Sequence, residues 1–131
     1  MRNGLKRGSV LIVEDDETLR SVIVRVLRGR GLSIVEAPSA EDAIETLTDG
    51  LRPGLVLLDI NLPGDTGWDL LRSGVLPAAG DPPVVISSAI PVSPLRLAEF
   101  HVAGYLPKPC PIDAMVDTID RLLLDGAKEP V

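Results

Sequence analysis

The run Leu55-Val56-Leu57-Leu58-Asp59 constrains this chain most: four apolar residues end in one carboxylate, and Ile60-Asn61-Leu62-Pro63-Gly64 then turns the chain away. An unbroken apolar run of that length fits a strand covered on both faces, as in parallel sheets, where ligands collect at the carboxyl ends of the strands. Asp59 is thereby placed where chemistry is done. Val10-Leu11-Ile12-Val13 delivers Glu14, Asp15 and Asp16 in the same way, Val84-Val85-Ile86 ends in Ser87-Ser88, and Gly104-Tyr105-Leu106-Pro107 delivers Lys108. Four strand ends thus carry acids, hydroxyls and an amine.

Between these runs the pattern is helical. Leu19, Val22, Ile23, Val26 and Leu27 recur at helical spacing, and Gly29 and Gly31 stop the stripe. Ser33-Ile34-Val35-Glu36-Ala37 reads as a short strand. Ser39 with Asp42 opens a helix whose apolar face is Ala40, Ala43, Ile44 and Leu47. A short helix is expected from Trp68 to Arg72, turns from Gly74 to Pro83, and about two turns of helix from Leu95 to Val102. Pro111 reads as the first residue of a last helix with Met115, Ile119, Leu122 and Leu123 inward, ended by Asp125-Gly126. Five βα units joined by short connections imply right-handed crossovers and a parallel sheet with helices on both faces, a doubly wound α/β domain.

With 131 residues, 45% of them hydrophobic, the chain can bury one core and not two. A net charge of −6 and no run of Lys or Arg argue against a nucleic-acid footprint. The apolar runs are too short for a membrane span, and the single cysteine, Cys110, fits a reducing cytoplasm.

Taken in order, Glu14-Asp15-Asp16, Asp59 with Leu62-Pro63-Gly64 and Gly67, Ser88-Ala89, and Tyr105-Leu106-Pro107-Lys108-Pro109 resemble the receiver (CheY-like) domains of two-component response regulators. The resemblance runs from about Ser9 to Leu124. It implies a flavodoxin-like (βα)5 fold with strand order 2-1-3-4-5, a receiver domain over residues 9–125, a flexible tail at 1–8 and a second tail at 126–131.

It also implies a chemistry. Carboxylates converging at strand ends repel one another and call for a cation, and Mg²⁺, which takes one or two carboxylates plus waters and phosphoryl oxygens, suits them. By resemblance, Asp15, Asp59 and the Asn61 backbone carbonyl ligate Mg²⁺, with Glu14 acting through water. Asp59 is the phosphoacceptor nucleophile, Lys108 and Ser88 attend the phosphoryl group, and Ser88 and Tyr105 form a switch. The phosphate would come from a histidine kinase or a histidine phosphotransfer protein, and the domain would reset itself by hydrolysis. A downstream protein would meet the face built from Leu95–Val102, Tyr105 and Met115–Leu123, with a homodimer as a further option.

Blander readings stand beside these. Asp16 and Glu17 suit a helix N-terminus without any ligand. Ser87 reads as a packing residue, Trp68 as packing at a helix start and His101 as a surface residue. Two features depart from the resemblance: Cys110 stands where the family has a bulky aromatic, and Pro91 and Pro94 enter the fourth helical region. Other functions remain open at this level. One is a receiver fold used as a docking or dimerisation module without phosphate. A second is a dehalogenase-type phosphohydrolase, though Asn61 stands where a second acid belongs. A third is a flavin or nucleotide binder, for which the acids after the first strand are electrostatically wrong.

Overall fold

The computed structural model describes residues 9–127, so the expected tail at 1–8, and residues 128–131 of the one expected at 126–131, lie outside the described residues. Strands and helices alternate as β1 (Ser9–Val13), α1 (Glu17–Gly29), β2 (Ser33–Ala37), α2 (Ala40–Thr48), β3 (Leu55–Asp59), α3 (Gly67–Arg72), a single turn α4 (Val75–Ala78), β4 (Val84–Ser88), α5 (Pro94–Glu99), β5 (Gly104–Pro107) and α6 (Ile112–Ala127). The strands form one five-stranded parallel sheet in the order β2-β1-β3-β4-β5. This is the doubly wound α/β fold expected from the sequence.

The period-2 alternation of side chains splits the core in two. Val10, Ile12, Leu55, Leu57 and Val85 face α1 and α6, meeting Ile23, Leu27, Met115 and Ile119. Leu11, Val13, Val56, Leu58 and Ile86 face the other way, meeting Ala40, Ala43, Leu47, Leu70 and Leu76. All five residues of β3 are buried, which is why that strand reads as an uninterrupted apolar run.

The helices differ from their sequence-based reading in four places. In α1 the buried stripe is Ile23, Val24 and Leu27, while Val22 is 42% exposed. Residue 24 lies three positions before 27 on one side of the helix and residue 22 does not. The turns expected from Gly74 to Pro83 include α4, which forms because Leu76 drops into the core. The helix expected over Leu95–Val102 is the shorter α5. Ser93 caps it by accepting from the Arg96 amide, and Pro94 takes the first turn, where its missing N–H costs nothing. Its end is a Schellman closure: His101 turns left-handed at φ 54°, its amide donates to Ala98 O, and the Val102 amide donates to Leu97 O.

The fourth difference is α6, which starts one residue later than expected. The Pro111 carbonyl accepts from the amides of Ala114 and Met115, so Pro111 precedes the helix. The helix also continues through Gly126 to Ala127. Glycine lowers helix propensity by only about 1 kcal/mol, too little to end a helix by itself.

Candidate functional site

The strand order decides which chemistry meets which. β1 and β3 are neighbours with Val13 opposite Leu58, so the next residues, Glu14 and Asp59, emerge side by side. Asp59 pairs with Ser87, and Ser88 with Pro107, which brings Ser88 and Lys108 to the same edge. The sequence of strands reverses direction between β1 and β3, and such crevices are where doubly wound folds place their ligands.

Glu14 and Asp59 are 4% and 5% exposed, whereas Asp15 is open to solvent. One carboxylate oxygen from each of Glu14, Asp15 and Asp59 lies within 4.8 Å of the other two. An octahedral Mg²⁺ site with ligands at about 2.1 Å places its oxygens roughly 3 to 4 Å apart, so the cluster fits a hard divalent cation. The donor chemistry agrees: oxygen atoms only, with one face left to solvent.

Lys108 joins the buried acids. Its Nζ lies 2.8 Å from Glu14 Oε1 and 3.3 Å from Asp59 Oδ2. One ammonium against three carboxylates leaves the cluster net negative. Burial pushes the Glu14 carboxyl above its ordinary range and the Asp59 charge pushes the same way, against the lowering by Lys108 and by the Asp16 amide. For Lys108 burial alone favours loss of the proton, but the Glu14 hydrogen bond and the charges of Asp59 and Glu14 outweigh it. Its pKa is raised, and the group is a firm cation at neutral pH.

Backbone and side-chain bonds fix the arrangement. The Asn61 amide donates to Asp59 Oδ1 at 3.1 Å, holding the carboxylate against its own turn. Asn61 Nδ2 donates to Ser88 Oγ at 3.2 Å, while Ser88 Oγ donates to the Ile90 carbonyl at 2.9 Å and accepts from the Ile90 amide. Ser88 is 1% exposed and tied to the β4–α5 loop. Tyr105 is half-buried on β5 and packs on the core beside Leu97 and Val102. Asp16 caps α1 by accepting from the Leu19 amide, the structural role weighed for it above.

Two supporting residues, Arg20 and Glu41, carried no functional signal in the sequence, whereas Trp68 packs as expected. Arg20 donates to the Glu14 carbonyl at 2.7 Å and to Glu36 Oε1 at 3.0 Å, and so braces the acidic loop. Glu41 accepts from the Asp65 amide at 3.2 Å, anchoring the loop after Asp59. Trp68 stacks on Phe100 at 5.4 Å with Arg96 over its ring, joining α3 to α5. The partners of Arg20 and Glu41 come from other strands and loops, which helical spacing does not announce. Burial pushes the Cys110 thiol up, which favours its protonated form.

Residues 10–120 match the family model described as the response regulator receiver domain. The DNA-binding transcriptional regulator NtrC of Klebsiella pneumoniae is 35% identical over 121 residues, covering 91% of this chain and 25% of NtrC. The DNA-binding response regulator MtrA of Mycolicibacterium smegmatis is 39% identical over 83 residues, 63% of this chain and 35% of MtrA. The chain therefore spans about a quarter to a third of the length of these relatives. Among solved structures, the receiver domain of the hybrid histidine kinase CckA is 31% identical with a TM-score of 0.72, covering 88% of this chain and 98% of that one. A CheY-like receiver domain protein from Methanospirillum hungatei JF-1 has a TM-score of 0.85 at 20% identity over 93% of this chain and 98% of that one, a likeness of fold alone.

Proposed function

The chain belongs to the response regulator receiver domain family, signalling domains of two-component systems, and from that premise we propose that Asp59 accepts a phosphoryl group from a histidine kinase or histidine phosphotransfer protein. One observation carries the reading. A nearly buried carboxylate at the end of a central strand shares a hydrogen-bonded ammonium with a second buried acid, and a third acid lies within reach of the same cation.

In this reading the receiver domain spans residues 9–125, and Asp15, Asp59 and the Asn61 carbonyl hold Mg²⁺, with Glu14 reaching it through water. When bound, the ion neutralises charge on the phosphoryl oxygens during in-line transfer. An Asp59 carboxylate oxygen attacks phosphorus. The new P–O bond forms as the donor's P–N bond breaks, and the electron pair stays on the imidazole nitrogen, which takes up a proton. Lys108, already drawn to the Asp59 carboxylate, stays with the transferred group as its fixed positive partner. Hydrolysis by water at phosphorus returns the Asp59 carboxylate and inorganic phosphate.

The added group carries close to two negative charges and strong acceptor oxygens. Ser88 is the hydroxyl that follows it. Turning toward the phosphoryl group costs Ser88 its bond to the Ile90 carbonyl, and the β4–α5 loop is released; Tyr105 responds from the adjacent strand. Output then passes through the face of α5, β5 and α6 to a protein partner. Among the described residues no helix is long and apolar enough to cross a membrane, which suits the proposed cytoplasmic setting. The expectation of no nucleic-acid contact gains no support from relatives that are DNA-binding regulators by name.

Intact mass after incubation with acetyl phosphate tests the reading. A single base-labile phosphate adduct that needs both Mg²⁺ and Asp59 is expected, and Asp59→Ala abolishes it. An adduct that survives Asp59→Ala, or none while Mg²⁺ binding is demonstrated, removes the phosphoacceptor role and favours a docking module.

A further inference from the structure

On the α1–α6 side of the sheet lies a cavity of about 360 Å³, with Glu14, Asp59 and Lys108 of the acid cluster forming part of its lining. Its walls are otherwise mostly apolar: Leu19, Ile23 and Leu57 on one side, Met115, Pro109 and Cys110 on the other. Two small side chains, the exposed Ala89 and the half-buried Cys110, leave room in its lining. The half-buried Leu19 and Cys110 and the exposed Pro109 form its solvent side.

The cavity also holds a polar anchor that the phosphoacceptor chemistry does not use. Ser87 lies two residues beyond Val85 and so on the same face of the sheet. It is 4% exposed, lines the cavity, and its Oγ has no hydrogen-bond partner among the described residues. A buried hydroxyl without a partner is costly, and a ligand group that supplies the missing bond recovers that cost. Ser88, by contrast, is fully engaged on the opposite side of the sheet.

We propose that this cavity binds a small neutral bicyclic aromatic molecule whose single hydrogen-bond donor reaches Ser87 Oγ. The size follows from volume: a cavity of about 150 Å³ takes one benzene ring, and this one, at about 360 Å³, takes two fused rings. The neutrality follows from the surroundings. Apolar walls desolvate an ionised head, and the Glu14 and Asp59 carboxylates that also line the cavity repel an anion. The cavity falls within the range of small-molecule sites, mostly apolar with few placed polar groups. Its test needs no phosphodonor, so it stands or falls apart from the phosphoacceptor reading.

Met115 reports on the cavity directly, since Met1 is the only other methionine. With ¹³C-methyl-labelled methionine, titration with indole is expected to move the Met115 methyl resonance saturably at sub-millimolar ligand. Indene, which has the same rings without the N–H, binds about 3- to 10-fold more weakly, the worth of one neutral hydrogen bond. Ser87→Ala erases the difference between the two. Cys110→Phe fills the cavity and weakens both by about 10-fold or more, as does Ala89→Leu from the opposite wall should the first variant fold poorly. A Met115 signal that does not move, a shift that rises without saturating, or an affinity unchanged in the folded filling variants overturns the proposal. A preference for indole that persists in Ser87→Ala overturns the assignment of Ser87 as anchor.

Discussion

Lys108 lies closer to Glu14 than to Asp59, 2.8 Å against 3.3 Å, so the more tightly held partner of the ammonium is not the acid proposed to take the phosphate. One cation thereby serves two carboxylates that are each about 95% buried. Lys108→Met removes it while keeping most of the stem. Leaving buried acids unpaired costs about 3 kcal/mol or more, and urea unfolding in chelator is expected to show a loss of that size. Mg²⁺ supplies positive charge to the same oxygens, so saturating Mg²⁺ restores most of the stability. Phosphorylation of Lys108→Met nonetheless stays slow, because the ammonium has no replacement at the phosphoryl group.

The pH dependence of stability follows from the same pair. Glu14 has its pKa raised by burial above an ordinary value of 4.5, so the folded state binds that proton more tightly than the unfolded chain. Its contribution therefore falls as pH rises from about 4.5 through the raised value, and is recovered on acidification. Lys108, also raised, stabilises the fold below its ordinary 10.5 and loses that contribution as pH climbs through the folded value. In chelator, wild type compared with Glu14→Gln is expected to show an extra decline in stability above pH 4.5 that the variant lacks. Mg²⁺ favours the ionised carboxylate and flattens that decline. A Glu14→Gln profile parallel to wild type would remove the burial argument.

Gly67 is held to glycine by the turn that carries the site. Its amide donates to the Ile60 carbonyl at 3.0 Å, and a Cβ there would sit 2.6 Å from the Asp59 carbonyl oxygen and 2.9 Å from Ile60 Cα. Both are backbone atoms, so the start of α3 must move away. Gly67→Ala is expected to cost about 1 to 3 kcal/mol in thermal or denaturant unfolding. It is also expected to weaken Mg²⁺ binding measured by calorimetry, because the backbone it crowds, at Asp59 and Ile60, adjoins the Asn61 carbonyl proposed as a ligand. Gly29→Ala, where nothing lies within 4 Å, is the control and leaves both unchanged or slightly improved.

The acids, Asp59 and Lys108 were legible in the sequence because each follows an apolar run, and a parallel sheet gathers such positions at one end. Strand order was not legible from pattern; it entered through the family resemblance, and it is what sets Glu14 beside Asp59. The misjudged boundaries share a cause. Helix ends depend on local closures, such as the left-handed His101, that single-residue preferences do not announce. Ser87 is buried on the sheet, as its packing reading expects, and only the structure shows that it also lines a cavity with Ala89 and Cys110.

Trp68 offers an optical readout of the proposed switch. It is the only tryptophan, stacks on Phe100 at 5.4 Å, and borders a cleft of about 200 Å³ shared with Asn61, Ser88, Ile90 and Arg96. When Ser88 gives up the Ile90 carbonyl, the loop that lines this cleft moves and the indole surroundings change. Emission is expected to shift in intensity or wavelength on adding acetyl phosphate with Mg²⁺, and to stay constant in Asp59→Ala. In Ser88→Ala the phosphate adduct still forms while most of the emission change is lost. An equal emission change in Ser88→Ala would detach the loop from the hydroxyl.

Arg20 connects the acidic loop to the neighbouring strand. Its guanidinium, 13% exposed at the side chain, donates through one terminal nitrogen to the Glu14 carbonyl at 2.7 Å and through Nε to Glu36 at 3.0 Å. Only a planar fork spans two acceptors on different strands in this way; a lysine ammonium is a single point. Arg20→Met and Arg20→Lys are therefore both expected to lower Mg²⁺ affinity several-fold, since the Glu14 carbonyl is the link to Asp15, the exposed member of the acid cluster. Each also costs about 1 to 3 kcal/mol of stability, the range for a charge-assisted hydrogen bond. Arg28 supplies the control. It donates to the Ile34 carbonyl at 3.3 Å from the far end of the same helix, with no bond to the acids. Arg28→Met should reduce stability modestly and leave Mg²⁺ affinity as it was. If Arg20→Met instead behaves like Arg28→Met in calorimetry, the brace is structural only, and Asp15 is positioned by the helix start that Asp16 caps.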